Sequence, residues 1–293
     1  MRILLTGAGG FTGRPFAQQA RDAGHEVVAL RADLTDRAGL LQEIQDARPD
    51  AVVHLAAISF VGHAAEQAFY AVNVVGTTNL LDALVQLPVP PRRVLLASSA
   101  NIYGNSEQSP LAETQPPAPV NHYAMSKLAM EYMARTYAER LDLVITRPFN
   151  YTGPGQDSNF LIPKLAEHFA ARAPSVSLGN LLVEREFNDI RMVCDAYLLL
   201  LSHGQPGEAY NVCSGQPYTL QHVIDTFEQL TGHSIKVEVD SRFVRPNEVH
   251  RLCGNPDKLN KVASAHRAPL QMPSLKDTLQ RMLDVAAAGA SPR

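Results

Sequence analysis

Arg2-Ile-Leu-Leu-Thr-Gly-Ala-Gly-Gly-Phe-Thr-Gly13 decides how this chain is read. A short β-branched and leucine run ends in a glycine-rich turn, and an amphipathic pattern continues to about Ala23, giving strand, tight turn and helix. Gly7, Gly10 and Gly13 share the GxxGxxG spacing. Glycines let the backbone approach a pyrophosphate closely, and the helix that follows offers unpaired N–H groups and the positive end of its dipole. Such a turn after a strand, opening a helix, predicts an α/β fold of doubly wound parallel strands with a dinucleotide at Gly7, Gly10, Phe11 and Gly13.

Working outward, Glu26 to Leu30 reads as the second strand. At its carboxyl end a fold of this kind presents a side chain to the adenosine ribose, an acid for NAD or an arginine for a 2′-phosphate. Arg31 stands there, so NADPH is the expected cofactor and NADH the alternative. Asp33 to Asp36 follows almost at once, as though a helix and strand had been trimmed away, which puts Asp33 and Leu34 beside the adenine. A helix is expected over Asp36 to Ala47, then a buried strand from Ala51 to Ala57. The small residues Ala56 and Ala57 leave room for the cofactor. His54, inside that apolar run, reads as a core histidine. Glu66 to Leu87 has a long helical pattern, in which Asn73 can reach backbone near the site or simply pack.

Ser98-Ser-Ala-Asn-Ile-Tyr-Gly104 closes the next strand, at the edge where open α/β sheets bind ligands. Ser99 is placed to polarise a carbonyl. Tyr123 and Lys127 lie four residues apart, on one face of a helix. With nine tyrosines and six lysines in 293 residues, about 0.2 such spacings arise by chance, so the pair gains its weight from its neighbours. An ammonium about 4 Å from a phenol favours the phenolate by about 4 kcal/mol at an effective dielectric of about 20, which predicts a phenol tuned for proton transfer.

Composition narrows the partners. The 26 basic and 29 acidic residues leave a net charge of −3, and no basic run exceeds two residues, which disfavours nucleic acid and anionic membranes. The chain opens on Met1-Arg2 and an apolar run without a signal-peptide pattern, and no apolar stretch matches a bilayer span, so a cytoplasmic location is expected. Cys194, Cys213 and Cys253 are scattered without metal-ligand spacing, so no metal and no disulfide are expected.

Taken together, Thr6 to Gly13, His54 to Ala57, Ser98 to Gly104, Tyr123 to Lys127 and Arg147-Pro-Phe-Asn150 make the chain resemble an extended short-chain dehydrogenase/reductase of the nucleotide-sugar-modifying group. Arg147 to Gln156, Arg185-Glu-Phe-Asn-Asp189, Tyr210 to Gly215 and Arg245-Pro-Asn-Glu-Val249 narrow the likeness to the branch of GDP-mannose 4,6-dehydratases and GDP-4-keto-6-deoxymannose reductases. The resemblance implies a Rossmann-type domain over 1–150, with 188–212 packing back onto it, and a smaller substrate-binding domain over 151–293. It implies a catalytic set of Ser99, Tyr123 and Lys127, with Tyr123 and Lys127 also touching the cofactor. Substrate contacts fall on Ser99, Asn101, Asn150, Arg185, Arg245 and Glu248, to a nucleotide-diphosphate sugar that is GDP-linked, in a homodimer.

Dehydratases of the branch carry an acid where Asn101 stands. An amide cannot abstract a proton at neutral pH, so the expectation is NADPH-dependent reduction of a C4 ketone, from GDP-4-keto-6-deoxy-D-mannose to GDP-D-rhamnose or GDP-6-deoxy-D-talose. A nucleotide-sugar 4-epimerase holding NAD, and a non-catalytic NADP-binding sensor, are the alternatives.

Overall fold

The structure is a computed structural model that describes residues 1–59, 65–240 and 249–290. In chain order the first half gives β1 (Arg2–Thr6), α1 (Gly13–Asp22), β2 (Glu26–Ala29), α2 (Arg37–Ala47), β3 (Ala51–His54), α3 (Glu66–Tyr70), α4 (Thr77–Leu84), β4 (Arg93–Ala97), α5 (His122–Arg135) and β5 (Leu143–Pro148). The second half gives β6 (Tyr151–Thr152), α6 (Leu161–Ala170), β7 (Ser175–Leu178), β8 (Glu184–Arg185), β9 (Asn188–Asp189), α7 (Ile190–His203), β10 (Ala209–Val212), β11 (Tyr218–Thr219), α8 (Leu220–Thr231), β12 (Lys236–Val239), β13 (Arg251–Leu252), α9 (Asp257–Ala265) and α10 (Leu275–Ala290).

Six strands form one parallel sheet in the order β10-β5-β4-β3-β1-β2. This is a Rossmann-type doubly wound sheet. Successive residues point to opposite faces, and the core divides accordingly. Ile3 and Leu5 pack with α1, α7 and α9, while Leu4 packs with α2, α4 and α5. The sheet ends at β2, because the chain passes from there through residues 30–36 directly into α2. All six strands run the same way, but strand order proceeds outward in opposite directions from β1 and β3, which puts a crevice at their carboxyl ends.

Residues 190–212 return to this sheet: α7 packs beside α1, and β10 pairs with β5. A separate core gathers α6, α8 and α10 around Phe169 and Phe227, whose rings stack at 5.1 Å. Short strand pairs, β7 with β12 and β8 with β11 and β13, complete that region.

Two helices differ from the sequence expectation. The run from Glu66 ends at Leu84 rather than Leu87, and a wide π turn over Ala71–Gly76 joins α3 to α4. Such turns insert a residue into the helical ladder, and here Asn73 is buried within it. Helix α5, which the sequence pattern of Met125 to Arg140 would carry further, is capped by the Asn121 side chain on Ala124 N at 2.9 Å and ends at Arg135. Among the described residues no helix is long and apolar enough to cross a membrane.

Candidate active site

The glycine turn is shaped as a dinucleotide cradle requires. Gly7 has φ +68°, and a Cβ there would lie 2.8 Å from Ala56 N. A Cβ on Gly13 would lie 2.1 Å from Gly7 O, so only glycine fits. Gly10 N closes the turn on Gly7 O at 3.0 Å. Helix α1 carries no acid in its first turn and no side-chain cap, because the Thr12 hydroxyl is turned to Tyr151 Oη, 2.9 Å away. Its N–H groups are therefore suited to a pyrophosphate. Phe11 stacks on the Tyr151 ring at 5.8 Å.

The adenosine end is more crowded than the sequence suggests. Arg31 is exposed just beyond β2. Glu43 of α2, which the sequence reading overlooked, accepts from Arg31 N at 2.8 Å and Ala32 N at 2.6 Å. Asp33 is folded onto Thr35, accepting from its N and Oγ1, and these bonds hold its carboxyl below the usual carboxylate range. Leu34 is buried in the core against α4, its carbonyl bonded to Asn79 Nδ2 at 2.8 Å.

Ser99, Tyr123 and Lys127 converge at the carboxyl end of β4, all buried. Ser99 starts a 3-10 turn over Ala100–Tyr103, accepting from Asn101 N at 3.2 Å, and its side chain is near enough to the Tyr123 phenol to act on its acidity. Lys127 Nζ donates to Ala97 O at 2.7 Å. The electrostatics differ from the expectation that Lys127 lowers the phenol pKa. Burial pushes Tyr123 up to about 12, and the opposing influence comes from Ser99. Burial also pushes Lys127 down to about 8, against the Glu131 carboxylate. The phenol is thus held protonated, which suits a proton donor more than a base.

A continuous chain of hydrogen bonds supports this group. Thr6 Oγ1 accepts from Leu55 N and Ala56 N at 3.1 and 3.0 Å, so its own proton goes to His54 Nδ1 at 2.7 Å. His54 Nε2–H then donates to Thr77 Oγ1 at 2.8 Å, and Thr77 donates to Asn73 O at 2.8 Å. Asn73 bonds the Ile58 backbone in both directions and gives a proton to Ser126 Oγ at 3.0 Å, and Ser126 donates to Tyr123 O at 2.8 Å. His54 is a neutral core histidine, held down to about 3 by burial and then by the Lys127 charge. Asn73 takes the backbone-bonding role rather than simple packing.

A second buried unit went unread in the sequence. Arg147 pairs with Glu131 through two bonds, Nε–Oε1 at 3.0 Å and Nη2–Oε2 at 2.7 Å, and donates to Tyr103 Oη at 2.9 Å. Tyr103 then donates to Asn211 Oδ1 at 2.7 Å. Helix α5, the Ser99 loop, β5 and β10 are tied together through one guanidinium. The available signal was a glutamate one turn beyond Lys127 on the same helical face.

The proposed substrate residues are less closely gathered. Asn150 exposes its side chain, while its carbonyl accepts from Asn188 N at 2.9 Å and Nδ2 at 3.1 Å. Asn101 is half-buried in the Ser99 loop. Arg185, expected among the substrate contacts, directs its fork to the backbone carbonyls of Glu184, His250 and Val249. Arg245 and Glu248 lie outside the described residues.

The sequence profile of GDP-mannose 4,6-dehydratase matches residues 14–263. The chain belongs to that family. A GDP-6-deoxy-D-talose 4-dehydrogenase of Aggregatibacter actinomycetemcomitans is 35% identical over 267 residues, 89% of this chain and 91% of that protein. A GDP-6-deoxy-D-mannose reductase of Pseudomonas aeruginosa is 34% identical over 275 residues, 88% and 90% of the two chains. The solved structure of RMD from Pseudomonas aeruginosa, complexed with NADPH, superposes with a TM-score of 0.88 at 30% identity, covering 99% of this chain and 100% of that one. UDP-glucose 4-epimerases stand among the more distant relatives. Membership makes the protein an NAD(P)-dependent enzyme of nucleotide sugars, in the extended short-chain dehydrogenase/reductase fold.

Proposed function

We propose that the protein reduces the C4 ketone of GDP-4-keto-6-deoxy-D-mannose to a GDP-6-deoxyhexose with NADPH. The observation that carries this reading is the buried Tyr123 phenol, held protonated with Ser99 acting on it, beside a loop, Ser98–Gly104, that contains no carboxylate. When bound, the cofactor supplies a hydride to C4. Tyr123 gives its proton to the oxygen developing there. A sugar alkoxide is a stronger base than a phenolate, so this transfer runs downhill even from a phenol near 12. Ser99 hydrogen-bonds the same oxygen, and the Lys127 ammonium holds the nicotinamide ribose. Gly7, Gly10, Phe11 and Gly13 hold the pyrophosphate, Arg31 the 2′-phosphate, and Ala56 and Ala57 leave space beside them.

Asn101 and the exposed Asn150 side chain face the sugar diphosphate in this reading. Residues 1–150 with 188–212 form the cofactor unit, and 151–293 form the substrate unit. The relatives named for a talose 4-dehydrogenase and a mannose reductase support the same ketone–alcohol exchange at C4, written in opposite directions. We place a homodimer seam on α5 and the neighbouring π turn, where Val75, Met125 and Tyr132 are 53%, 44% and 54% exposed.

Consumption of NADPH with the 4-keto sugar, and NMR of the product, test the activity. Interconversion of GDP-hexoses without added cofactor would favour the epimerase, and NADPH binding without turnover on any keto sugar would favour the sensor.

A further inference from the structure

We infer that Glu43 is a second determinant of cofactor choice, acting against Arg31 on the ratio of NADPH to NADH affinity. This rests on the reading of Gly7–Gly13 and Arg31 as the cofactor site. The residue that meets the adenosine ribose in such folds lies at the carboxyl end of the second strand. Read along the chain, that place holds only the arginine. In space it holds a carboxylate too, because Glu43 arrives from α2 and binds the two backbone N–H groups directly after β2, Arg31 N at 2.8 Å and Ala32 N at 2.6 Å.

The carboxylate is held in place. Leu40 and Ile44, on either side of it along α2, are fully buried in the core under the sheet. The helix starts from an Asp36 cap that accepts from Gly39 N at 3.1 Å. Glu43 itself stays partly exposed, as does Ala32, with Arg31 exposed beside them.

Two opposite preferences follow. An ionised carboxylate has about four acceptor positions, and one bond per oxygen to backbone leaves capacity for ribose hydroxyls. A 2′-phosphate carries a charge of about −1.5 to −2 at neutral pH and is attracted by Arg31 but repelled by Glu43. Arg31 alone would make a strict NADPH site. With Glu43 the ratio of affinities is moderated.

The test uses equilibrium binding of NADPH and NADH to the full chain, read by reduced-nicotinamide fluorescence without sugar. Its outcome therefore does not depend on which nucleotide-sugar reaction is catalysed. Glu43→Gln keeps the size and removes the charge, and should raise the ratio Kd(NADH)/Kd(NADPH) about tenfold. Arg31→Ala should lower it by a similar factor. Glu43→Asp, which keeps the charge, should stay within about threefold of the unaltered protein. If Glu43 only braces the loop, Glu43→Gln weakens both cofactors equally and leaves the ratio unchanged, which overturns the inference. A shift towards NADH, or failure of the unaltered protein to bind either cofactor, overturns it as well.

Discussion

The two walls of the crevice are built on different plans. On the sheet side, a run of buried polar groups is fixed each by the next: Thr6, His54, Thr77, Asn73, Ser126 and then the backbone of Tyr123. On the other side, Asn150 leaves its side chain exposed, and Arg185 is tied to backbone carbonyls next to two-residue strands. The first wall is preorganised for one chemical step, which lowers the cost of orienting the acid at the moment of reaction. The second, in the proposed reading, offers the exposed Asn150 to a nucleotide sugar as it binds. Under that proposal reaction type is set by the rigid wall, and substrate by the looser one.

Substitutions on the two walls should then behave differently. On the sheet side, Tyr123→Phe should cut turnover about 10²- to 10⁴-fold, the range of a positioned general acid, while NADPH affinity stays within about twofold. Retained turnover would remove Tyr123 from the mechanism. Glu131→Ala leaves the Arg147 guanidinium buried without its carboxylate, and urea unfolding should show a loss of about 3–5 kcal/mol. A loss under about 1 kcal/mol would mean the pair does not brace this wall.

A pH titration sharpens the comparison further. With Lys127 lowered to about 8, its ammonium is present below that pH and lost above it. NADPH affinity should fall about fivefold between pH 8 and 9, and Lys127→Met should flatten the profile. A flat profile in the unaltered protein would separate Lys127 from cofactor binding. The smallest effect is expected on the looser wall. Asn150→Ala should raise KM for the keto sugar about fivefold with kcat nearly unchanged, and should alter stability by less than about 0.5 kcal/mol, as surface substitutions do. A fall in kcat instead would assign Asn150 to the rigid wall.

What could be read from the chain follows the same division. The glycine turn and the Tyr123/Lys127 spacing are local patterns, fixed by strand and helix periodicity within a dozen residues. The place of Ser99 at the carboxyl end of β4 was legible because a strand end in an open sheet has a known address. Glu43 beside Arg31, Tyr151 beside Thr12, and Glu131 beside Arg147 were not legible, because each pairing depends on how separate elements pack. Arg185 shows the converse: a guanidinium suits phosphates and carbonyls equally, and only the folded chain shows the carbonyls of residues 184, 249 and 250 around it. The phenol pKa was misjudged for a related reason. Spacing shows the lysine nearby, but the depth of burial that dominates both groups is a property of the whole fold.

In the proposed reaction the Tyr123 wall performs one ketone reduction and stops. The most direct measurement mixes the purified protein with NADPH and GDP-4-keto-6-deoxy-D-mannose, and follows loss of reduced-nicotinamide absorbance while NMR tracks the sugar. The expected result is one NADPH consumed for each GDP-6-deoxyhexose formed, and no such loss with Tyr123→Phe. Conversion of GDP-mannose into the 4-keto sugar by the unaltered protein, or sugar interconversion without NADPH consumption, would contradict it.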